Sequence, residues 1–226
     1  MDDNVDNTRG IYKFQAPSST LIVGGSQSGK TVLVSKILRV ADEMYTIPPS
    51  KILYCYGIYQ KIFSQLESEV EKLSLHEGLP TMETIEDIGS QDDDTHNLLV
   101  LDDMMDEIYK SPEFCSLFTR GVHHRRISVI MLSQNLFHQS KYSRTINLNS
   151  NYLILMKTYR DLQQIHFLSR QMFPNTPKRL LEAYEDATSR PRSYLVVNNL
   201  VNTEDQDTRL ASDILPDETL VLYTRK

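Results

Sequence analysis

The sequence predicts an α/β fold, in which a mostly parallel sheet carries helices on both faces. Short apolar runs, typical of buried strands, alternate along the chain with segments of helical periodicity. Gly and Pro residues separate many of these segments. The 226 residues are 40% hydrophobic and 24% charged, which is ordinary for a globular chain that buries a full core. We therefore expect an N-terminal arm over residues 1–13 and one domain over 14–226.

The first half of the chain carries strong signals for three strands and two helices. Apolar runs predict buried strands over residues 20–24, 51–57 and 97–103. Apolar residues at helical spacing predict helices over 30–43 and 60–74. Gly, Pro and acidic residues predict a connecting loop over 76–96. Three tyrosines alternate around the second strand, which favours packing in the core: Tyr54, Tyr56 and Tyr59.

The second half continues the alternation of strands and helices. A short helix is predicted over residues 111–119, and two longer helices are predicted on either side of Pro174, over 161–172 and 176–187. Apolar runs predict strands over 127–134, 151–156, 194–198 and 219–223. In such a sheet, binding groups belong at the carboxyl ends of the parallel strands.

Residues 24–31 read Gly-Gly-Ser-Gln-Ser-Gly-Lys-Thr, the G-x-x-x-x-G-K-[ST] pattern of a phosphate-binding loop. In this pattern the loop N–H groups face phosphate oxygens, Lys30 reaches the β- and γ-phosphates, and the Thr31 hydroxyl ligates Mg²⁺. The alternative is a chance Gly-rich turn, but a strand before it and a helix after it are the context that the motif needs. The predicted nucleotide-binding residues are Gly24, Gly25, Ser26, Gln27, Ser28, Gly29, Lys30, Thr31 and Val32.

Two carboxylates follow the third predicted strand. Asp102 and Asp103 come directly after an apolar run, so they belong at the same edge of the sheet as the phosphate-binding loop. Asp102 would bind Mg²⁺, mostly through water, and Asp103 would orient or deprotonate an attacking water. A solvated acidic turn is the alternative, which the loop and the two intervening helix–strand units disfavour.

Gln134 ends the predicted strand 127–134, just past its apolar run Val129 to Leu132, and is expected at the same edge. An amide there can hold the attacking water or sense the γ-phosphate; pairing with nearby backbone is the alternative. If this strand lies between those that carry Gly24 and Asp102, the arrangement is that of ATP-hydrolysing P-loop proteins, and no Asn-Lys-x-Asp guanine-binding motif is present. The predicted fold is therefore a P-loop NTPase of the ASCE or RecA-like kind, a three-layer sandwich with these three strands adjacent.

Composition excludes several classes of function. The net charge of −6 argues against a generally basic nucleic-acid binder, although basic residues cluster around Arg120–Arg126 and Lys141–Arg144. These arginines could act on a neighbouring subunit's nucleotide, contact nucleic-acid phosphates, or form a solvated face. His123 and His124 are adjacent and lack other ligands at metal-site spacing, so no metal is predicted there. An acidic N-terminus, two cysteines and no long apolar run indicate an intracellular protein without a membrane span.

Several further segments, in order along nearly the whole chain, resemble one known family: the genome-packaging ATPases of poxviruses, virophages and Polinton-like viruses, within the FtsK–HerA superfamily. Beyond the phosphate-binding loop and the Asp pair, the most selective stretch is Ser133-Gln134-Asn135-Leu136-Phe137, with His123-His124 before it and Ser143-Arg144-Thr145-Ile146 after it. Phe14-Gln15-Ala16-Pro17, Tyr54-Cys55-Tyr56-Gly57, His76–Pro80, Arg160-Asp161 and Ile214–Glu218 also match.

This resemblance implies an ATPase that forms a homo-oligomeric ring, a pentamer or hexamer, and drives double-stranded DNA into a capsid. ATP and Mg²⁺ are its implied cofactors, and viral DNA and capsid proteins are its partners inside the infected cell or in the virion. Carried onto this chain, Lys30, Asp103 and Gln134 are catalytic, Thr31 and Asp102 bind Mg²⁺, and an arginine finger acts in trans, with candidates Arg144, Arg160 and Arg120. Many superfamily members carry Glu where Asp103 stands.

Other functions remain open from the sequence alone. A DNA translocase of conjugation or chromosome segregation shares these motifs, and a nucleoside kinase shares the phosphate-binding loop. A nucleotide-gated capsid assembly protein would bind ATP and turn it over little. Stimulation of ATP hydrolysis by duplex DNA separates a motor from such a scaffold.

Overall fold

A nine-stranded sheet forms the centre of the computed structural model, which describes residues 12–89, 94–159, 161–200 and 208–224, except the side chain of His123. The strands are β1 (Ser19–Val23), β2 (Lys51–Tyr56), β3 (Leu73–Glu77), β4 (Asn97–Asp102), β5 (Ile127–Ser133), β6 (Tyr152–Met156), β7 (Tyr194–Asn198), β8 (Leu210–Ser212) and β9 (Val221–Leu222). Their order in the sheet is β3-β2-β4-β5-β1-β6-β7-β8-β9. Strands β1 to β6 pair with one another in parallel, and β7, β8 and β9 extend the sheet from β6 in antiparallel pairs.

Helices cover both faces of this sheet. They are α1 (Lys30–Arg39), α2 (Ala41–Met44), α3 (Lys61–Glu69), α4 (Met82–Ile88), α5 (Met105–Ile108), α6 (Pro112–Ser116), α7 (Val122–Arg125), α8 (Ser143–Asn149), α9 (Leu162–Met172) and α10 (Pro177–Ala187), with a π-helical turn, Leu117–Gly121, between α6 and α7. None of the helices within the described ranges combines the length and apolar character that crossing a membrane requires.

Alternate residues of the strands feed two separate cores, which confirms the predicted three-layer sandwich. Ile22 of β1 packs in a core with apolar residues of α1 and α3. Its neighbour Leu21 points to the opposite face, where α9 and α10 supply the partners. This two-sided burial explains why the parallel strands read as continuous apolar runs rather than as alternating ones.

The predicted helix over 60–74 and loop over 76–96 were wrong in part. Helix α3 ends at Glu69 because Val70 has an extended backbone, and the chain then enters β3, which pairs with β2 at the edge of the sheet. Val70 and Leu73 are buried and have the spacing of a helical face in the sequence. In the structure Val70 follows the end of α3, and Leu73 begins β3. Within the predicted loop lies α4, whose N-cap Thr81 accepts a hydrogen bond from the Thr84 N–H at 3.1 Å.

Other boundaries also differ from expectation. The predicted helix over 30–43 is broken at Val40, whose φ of −117° separates α1 from α2. The short helix predicted over 111–119 runs through the π-helical turn to Arg125. Helix α8 and strand β8 were not predicted, and the last strand is only Val221–Leu222. Within the predicted arm only Tyr12 and Lys13 are described, and the ring of Tyr12 contacts those of Phe14 and Tyr152.

Candidate functional site

Three neighbouring strands end at the same edge of the sheet and bring the predicted site residues together. Strand β5 lies between β4 and β1, which is the order that the sequence interpretation required. The register pairs Val23 with Ser133 and Leu101 with Met131. Asp102 at the end of β4, Gln134 after β5 and the loop after β1 therefore meet at one edge.

The loop between β1 and α1 requires glycine at two of its positions. Gly29 has a φ of 105°, a left-handed conformation that other residues rarely adopt. At Gly24, an added Cβ would lie 2.5 Å from Ser28 Oγ and 2.6 Å from Met156 Cβ, so no larger residue fits there. A Cβ at Gly25 would meet nothing within 4 Å, so the protein itself does not demand a glycine at that position.

Lys30 lies inside the loop and points back along it. Its ammonium donates to the carbonyl oxygens of Gly24, at 2.6 Å, and Gly25, at 3.0 Å. Burial lowers the pKa of Lys30, and the nearby charges of Asp102 and Asp103 act in the opposite direction. A cation held by two carbonyls is ready to exchange them for stronger phosphate acceptors.

Asp102 is 5% exposed and accepts two hydrogen bonds on one oxygen. Thr31 Oγ1 donates to Asp102 Oδ2 at 3.1 Å, and the Tyr54 hydroxyl donates to the same oxygen at 2.8 Å. Burial raises the pKa of Asp102, while both hydrogen bonds and the Lys30 charge lower it. The hydroxyl and carboxylate that were predicted to share Mg²⁺ are thus in direct contact.

Tyr54 contacts the candidate site through Asp102, although sequence reasoning assigned it only to packing. It does pack in the core, 4.9 Å from the ring of Phe63, and it is fully buried. It pairs with Val100 in the sheet, so its hydroxyl reaches diagonally to Asp102, two residues along β4. Burial raises its pKa well above the usual value, with the charge of Asp102 as a further cause, and this keeps the group a hydrogen-bond donor. A buried Tyr hydroxyl usually has a hydrogen-bond partner, and this was the available sequence signal that Tyr54 does more than pack.

Asp103 is exposed and has a left-handed backbone, with a φ of 62°. Its carbonyl oxygen would lie 2.7 Å from a Cβ at Gly57, so the turn after β4 packs closely on the glycine that ends β2. Asp and Asn are the non-glycine residues that most readily adopt this conformation. The backbone therefore gives a physical reason for Asp at this position.

One cavity of about 620 Å³, here called the main cavity, joins the predicted groups. Its lining includes Lys30, Thr31, Asp102, Asp103 and Gln134, together with Ser26, Gln27, Gly29 and Val32 of the loop. Gly24, Gly25 and Ser28 line a neighbouring cavity of about 720 Å³, here called the loop cavity, on the other side of the loop. Ser28 Oγ is buried there without a hydrogen-bond partner.

The donor set fits a magnesium–nucleotide complex. Thr31 and Asp102 supply a hydroxyl and a carboxylate, the hard oxygen ligands that Mg²⁺ takes when phosphates complete its shell. The loop without a Cβ at Gly24, the orphaned Ser28 hydroxyl and the Lys30 ammonium fit an anion. Among the described residues, no cluster of three or more His, Cys, Asp or Glu could hold a metal ion by protein ligands alone.

The predicted arginine fingers lie elsewhere. Arg144 is exposed on α8 and lines a separate cavity of about 880 Å³ with Phe137 and Leu148. Arg120 is exposed on the π-helical turn and is not part of the main cavity. Arg160 lies outside the described residues. Neither described candidate lines the main cavity, and their action in trans stays a prediction.

Arg192 lines the main cavity, and sequence reasoning missed it. It belongs to the turn between α10 and β7, and its Cγ would lie 3.2 Å from a Cβ at Gly29. This proximity depends on β7 returning antiparallel beside β6. An Arg-Pro-Arg turn before a strand gives no sequence signal for it.

Comparison with known proteins found one family and several similar structures. The family model described as Poxvirus A32 protein matches residues 13–220. The genome packaging NTPase B204 from Sulfolobus turreted icosahedral virus 2, solved in complex with ATP-γ-S, is 11% identical with a TM-score of 0.51, over 92% of this chain and 97% of that one. No curated protein sequence matches this chain significantly.

Two further structures share the fold. B204, described as the DNA-packaging ATPase from Sulfolobus turreted icosahedral virus, is 10% identical with a TM-score of 0.56, over 93% of this chain and 98% of that chain. The cytoplasmic domain of the type VII secretion ATPase EccC from Thermomonospora curvata is 14% identical with a TM-score of 0.53, over 91% of this chain and 25% of that one. At such identities these structures support the fold alone.

Proposed function

This chain belongs to the poxvirus A32 protein family, and we propose that it is an ATP-hydrolysing motor that moves double-stranded DNA into a viral capsid. The single observation that carries the ATPase part is the main cavity, where Lys30, Thr31, Asp102, Asp103 and Gln134 converge. The DNA and capsid parts rest on the family and on the resemblance described above. The B204 structures, with a bound ATP analogue in one case, share the fold and support the same direction.

In this proposal the terminal phosphates of ATP lie in the main cavity, against the loop of residues 24–29. The Lys30 ammonium moves from the carbonyls of Gly24 and Gly25 to the β- and γ-phosphates, and its donors then face stronger acceptors. Thr31 and Asp102 would hold Mg²⁺, which when bound neutralises charge on the phosphates. The Tyr54 hydroxyl would keep the Asp102 carboxylate in position by donating a hydrogen bond to Oδ2.

Asp103 is the proposed base for the attacking water. Its left-handed backbone directs it into the main cavity beside Lys30 and Gln134 rather than into the sheet. Gln134 follows β5 at the rim of both the main and the loop cavities, where an uncharged amide can hold the water without competing for the proton. The arrangement accepts a proton at Asp103 and leaves Gln134 to report on the γ-phosphate.

The test measures ATP hydrolysis with and without duplex DNA. We expect DNA to stimulate the wild-type protein, and Asp103→Asn to lower turnover about 10²–10⁴-fold while ATP still binds. Asn is the matched replacement because it tolerates the same left-handed backbone. A protein that binds ATP but shows no DNA stimulation and no loss in Asp103→Asn would instead be the nucleotide-gated assembly protein. Stimulation without packaging activity would favour another FtsK–HerA-like translocase.

We propose further that the protein works as a pentameric or hexameric ring, inside infected cells or in the virion, with an arginine from one subunit acting on the next. Support comes from the exposed positions of Arg144 and Arg120, away from their own main cavity. Arg144→Ala is expected to retain ATP binding and lose turnover. Mixing it with Lys30→Ala subunits restores turnover if the arginine acts in trans. Normal turnover in Arg144→Ala, Arg160→Ala and Arg120→Ala alike would exclude all three.

A further inference from the structure

A smaller cavity opens beside the phosphate-binding loop, on the side away from the loop cavity. This side cavity, of about 280 Å³, lies between the start of α1 and the turn Arg190–Ser193, and Asp213 and Glu218 form its far wall. Ligand pockets for whole small molecules measure roughly 300–1,000 Å³, so the side cavity is suited to part of a ligand. It shares the lining residues Gly29, Val32 and Arg192 with the main cavity, so the two adjoin there.

The two arginines of this turn have different electrostatic partners. Arg190 donates to both carboxylate oxygens of Asp213, at 2.6 and 2.5 Å, so its charge is neutralised. Arg192 makes no ion pair within the described ranges of the chain, and its side chain packs over Gly29 at the boundary of the two cavities. A free guanidinium at the mouth of a phosphate site is an anion-binding group.

The walls of the side cavity are otherwise close to electrically balanced. Lys36 Nζ lies 4.0 Å from Glu218 Oε1, and Glu218 Oε2 accepts a hydrogen bond from the Tyr194 hydroxyl at 3.1 Å. With Arg190 paired to Asp213, the cavity beyond Arg192 has polar but mutually compensated groups. Such walls suit an uncharged group with hydrogen-bonding edges better than another phosphate.

Two residues beside the side cavity have an unfavourable backbone conformation that the surrounding structure must hold in place. Arg192 has a φ of 63° and Asp213 a φ of 54°, both in the left-handed region that non-glycine residues rarely adopt. The Arg190–Asp213 pair connects the two turns that contain these residues. Conformations of this kind persist where the surrounding structure fixes them and are concentrated at ligand sites.

We propose that the nucleoside part of ATP lies in the side cavity and that Arg192 binds the α-phosphate at its mouth. This inference rests on the proposed function, because it assigns the rest of a ligand whose terminal phosphates lie in the main cavity. Val32 begins the shared boundary directly after Thr31, so the phosphate chain runs along the start of α1 from one cavity to the other. The loop cavity, on the opposite side of the loop, stays free of the nucleoside.

The first test locates the base in the wild-type protein. Irradiation with 8-azido-ATP, followed by peptide mass spectrometry, is expected to label residues 190–194 or 213–218. Label confined to Asn135 or Tyr159, which line the loop cavity, or to any other segment, overturns the proposal. Because this test needs no substitution, a folding defect cannot obscure it.

The second test measures the ATP dissociation constant by calorimetry. Arg192→Asn removes the charge while keeping a residue that tolerates positive φ, and ATP affinity is expected to fall about tenfold to a hundredfold. Arg192→Lys should recover part of the loss. Arg39→Asn, which removes an arginine paired with Glu69 at the far end of α1, should bind as the wild type does. Affinity within about twofold of wild type in Arg192→Asn overturns the role of Arg192.

Failure of this inference is distinguishable from failure of the proposed function. If the wild type binds ATP, Lys30→Ala does not, and Arg192→Asn binds normally, the nucleotide site stands and the Arg192 assignment falls. If the wild-type protein binds no ATP at all, the proposed function falls and the inference falls with it.

Discussion

Two buried polar side chains border strands β4 and β5 at opposite ends, and their hydrogen bonds differ. At the amino end, His96 is 1% exposed and both of its ring nitrogens are hydrogen-bonded, Nδ1 to the Ile47 carbonyl at 2.8 Å and Nε2 to Ser128 Oγ at 2.7 Å. At the carboxyl end, Asp102 is also buried, but Asp102 and its partner Thr31 line the open main cavity, while its other partner, Tyr54, lies in the core. Burial alone therefore does not distinguish a polar group inside the core from one that faces a candidate site.

The difference lies in whether the hydrogen bonds form a closed set. Since the Ile47 carbonyl can only accept, His96 donates from Nδ1 and accepts from the Ser128 hydroxyl at Nε2. Ser128 Oγ in turn accepts from the Ser18 N–H at 2.9 Å. At the other end, Asp102 and Lys30 have acceptor and donor capacity that faces the main cavity. A closed set stabilises the fold, and an open set awaits a ligand.

The largest effect should come from Lys30, the cation of the open set. Lys30→Ala removes the group that would contact two phosphate oxygens, so we expect ATP affinity to fall about a thousandfold. Calorimetric titration with ATP and Mg²⁺ measures it. Lys51→Ala, at an exposed residue at the amino end of β2, is the matched control and should bind normally. Unchanged affinity in Lys30→Ala would show that the carboxyl edge is not the nucleotide site.

The closed set should affect stability instead, and in a pH-dependent way. Burial lowers the pKa of His96 to about 4, from about 6.5 in the unfolded chain. Between these values the unfolded state binds the proton and the folded state does not, so stability falls as the pH drops from 6.5 towards 4. The full loss is about 3 kcal/mol.

Urea unfolding at several pH values checks this prediction. Gln cannot take up a proton in this range, so His96→Gln should remove that part of the slope even if it lowers stability at every pH. Its ATP hydrolysis at pH 8 should stay close to that of the wild type. Equal slopes for the two proteins between pH 6.5 and 4 would mean that His96 is protonated in the fold.

The contrast also explains what the sequence could and could not predict. The positions of Lys30, Thr31, Asp102 and Gln134 were predictable because each follows the apolar run of a recognisable parallel strand at a short distance in the sequence. Tyr54 and Arg192 were not, because their roles need β2 beside β4 and β7 beside β6, pairings that depend on the whole sheet. Strand β3 was hidden because Leu73 also fits the end of the predicted helix, and His76 and Glu77 fall in the predicted loop.

The smallest effect should come from Tyr54, which combines features of the two ends. Its ring is fully buried in the core, and its hydroxyl donates to Asp102 of the open set. Tyr54→Phe keeps the ring and removes one hydrogen bond to a carboxylate, so turnover should fall about tenfold. That hydrogen bond lowers the pKa of Asp102, so its loss raises the pKa. Because the ionised form would hold Mg²⁺ in the proposed site, the fall in kcat/KM on acidification should begin at a higher pH than in the wild type.

Tyr152→Phe provides the matched control for this last change. The Tyr152 hydroxyl accepts from the Gln15 N–H at 2.9 Å, outside the main cavity, and its removal should cost stability without moving the pH profile. A shift in Tyr54→Phe but not in Tyr152→Phe would show that a core tyrosine acts through Asp102. Identical pH profiles of kcat/KM for both variants and the wild type would make Tyr54 purely structural. The open set would then include Asp102 but not its partner Tyr54.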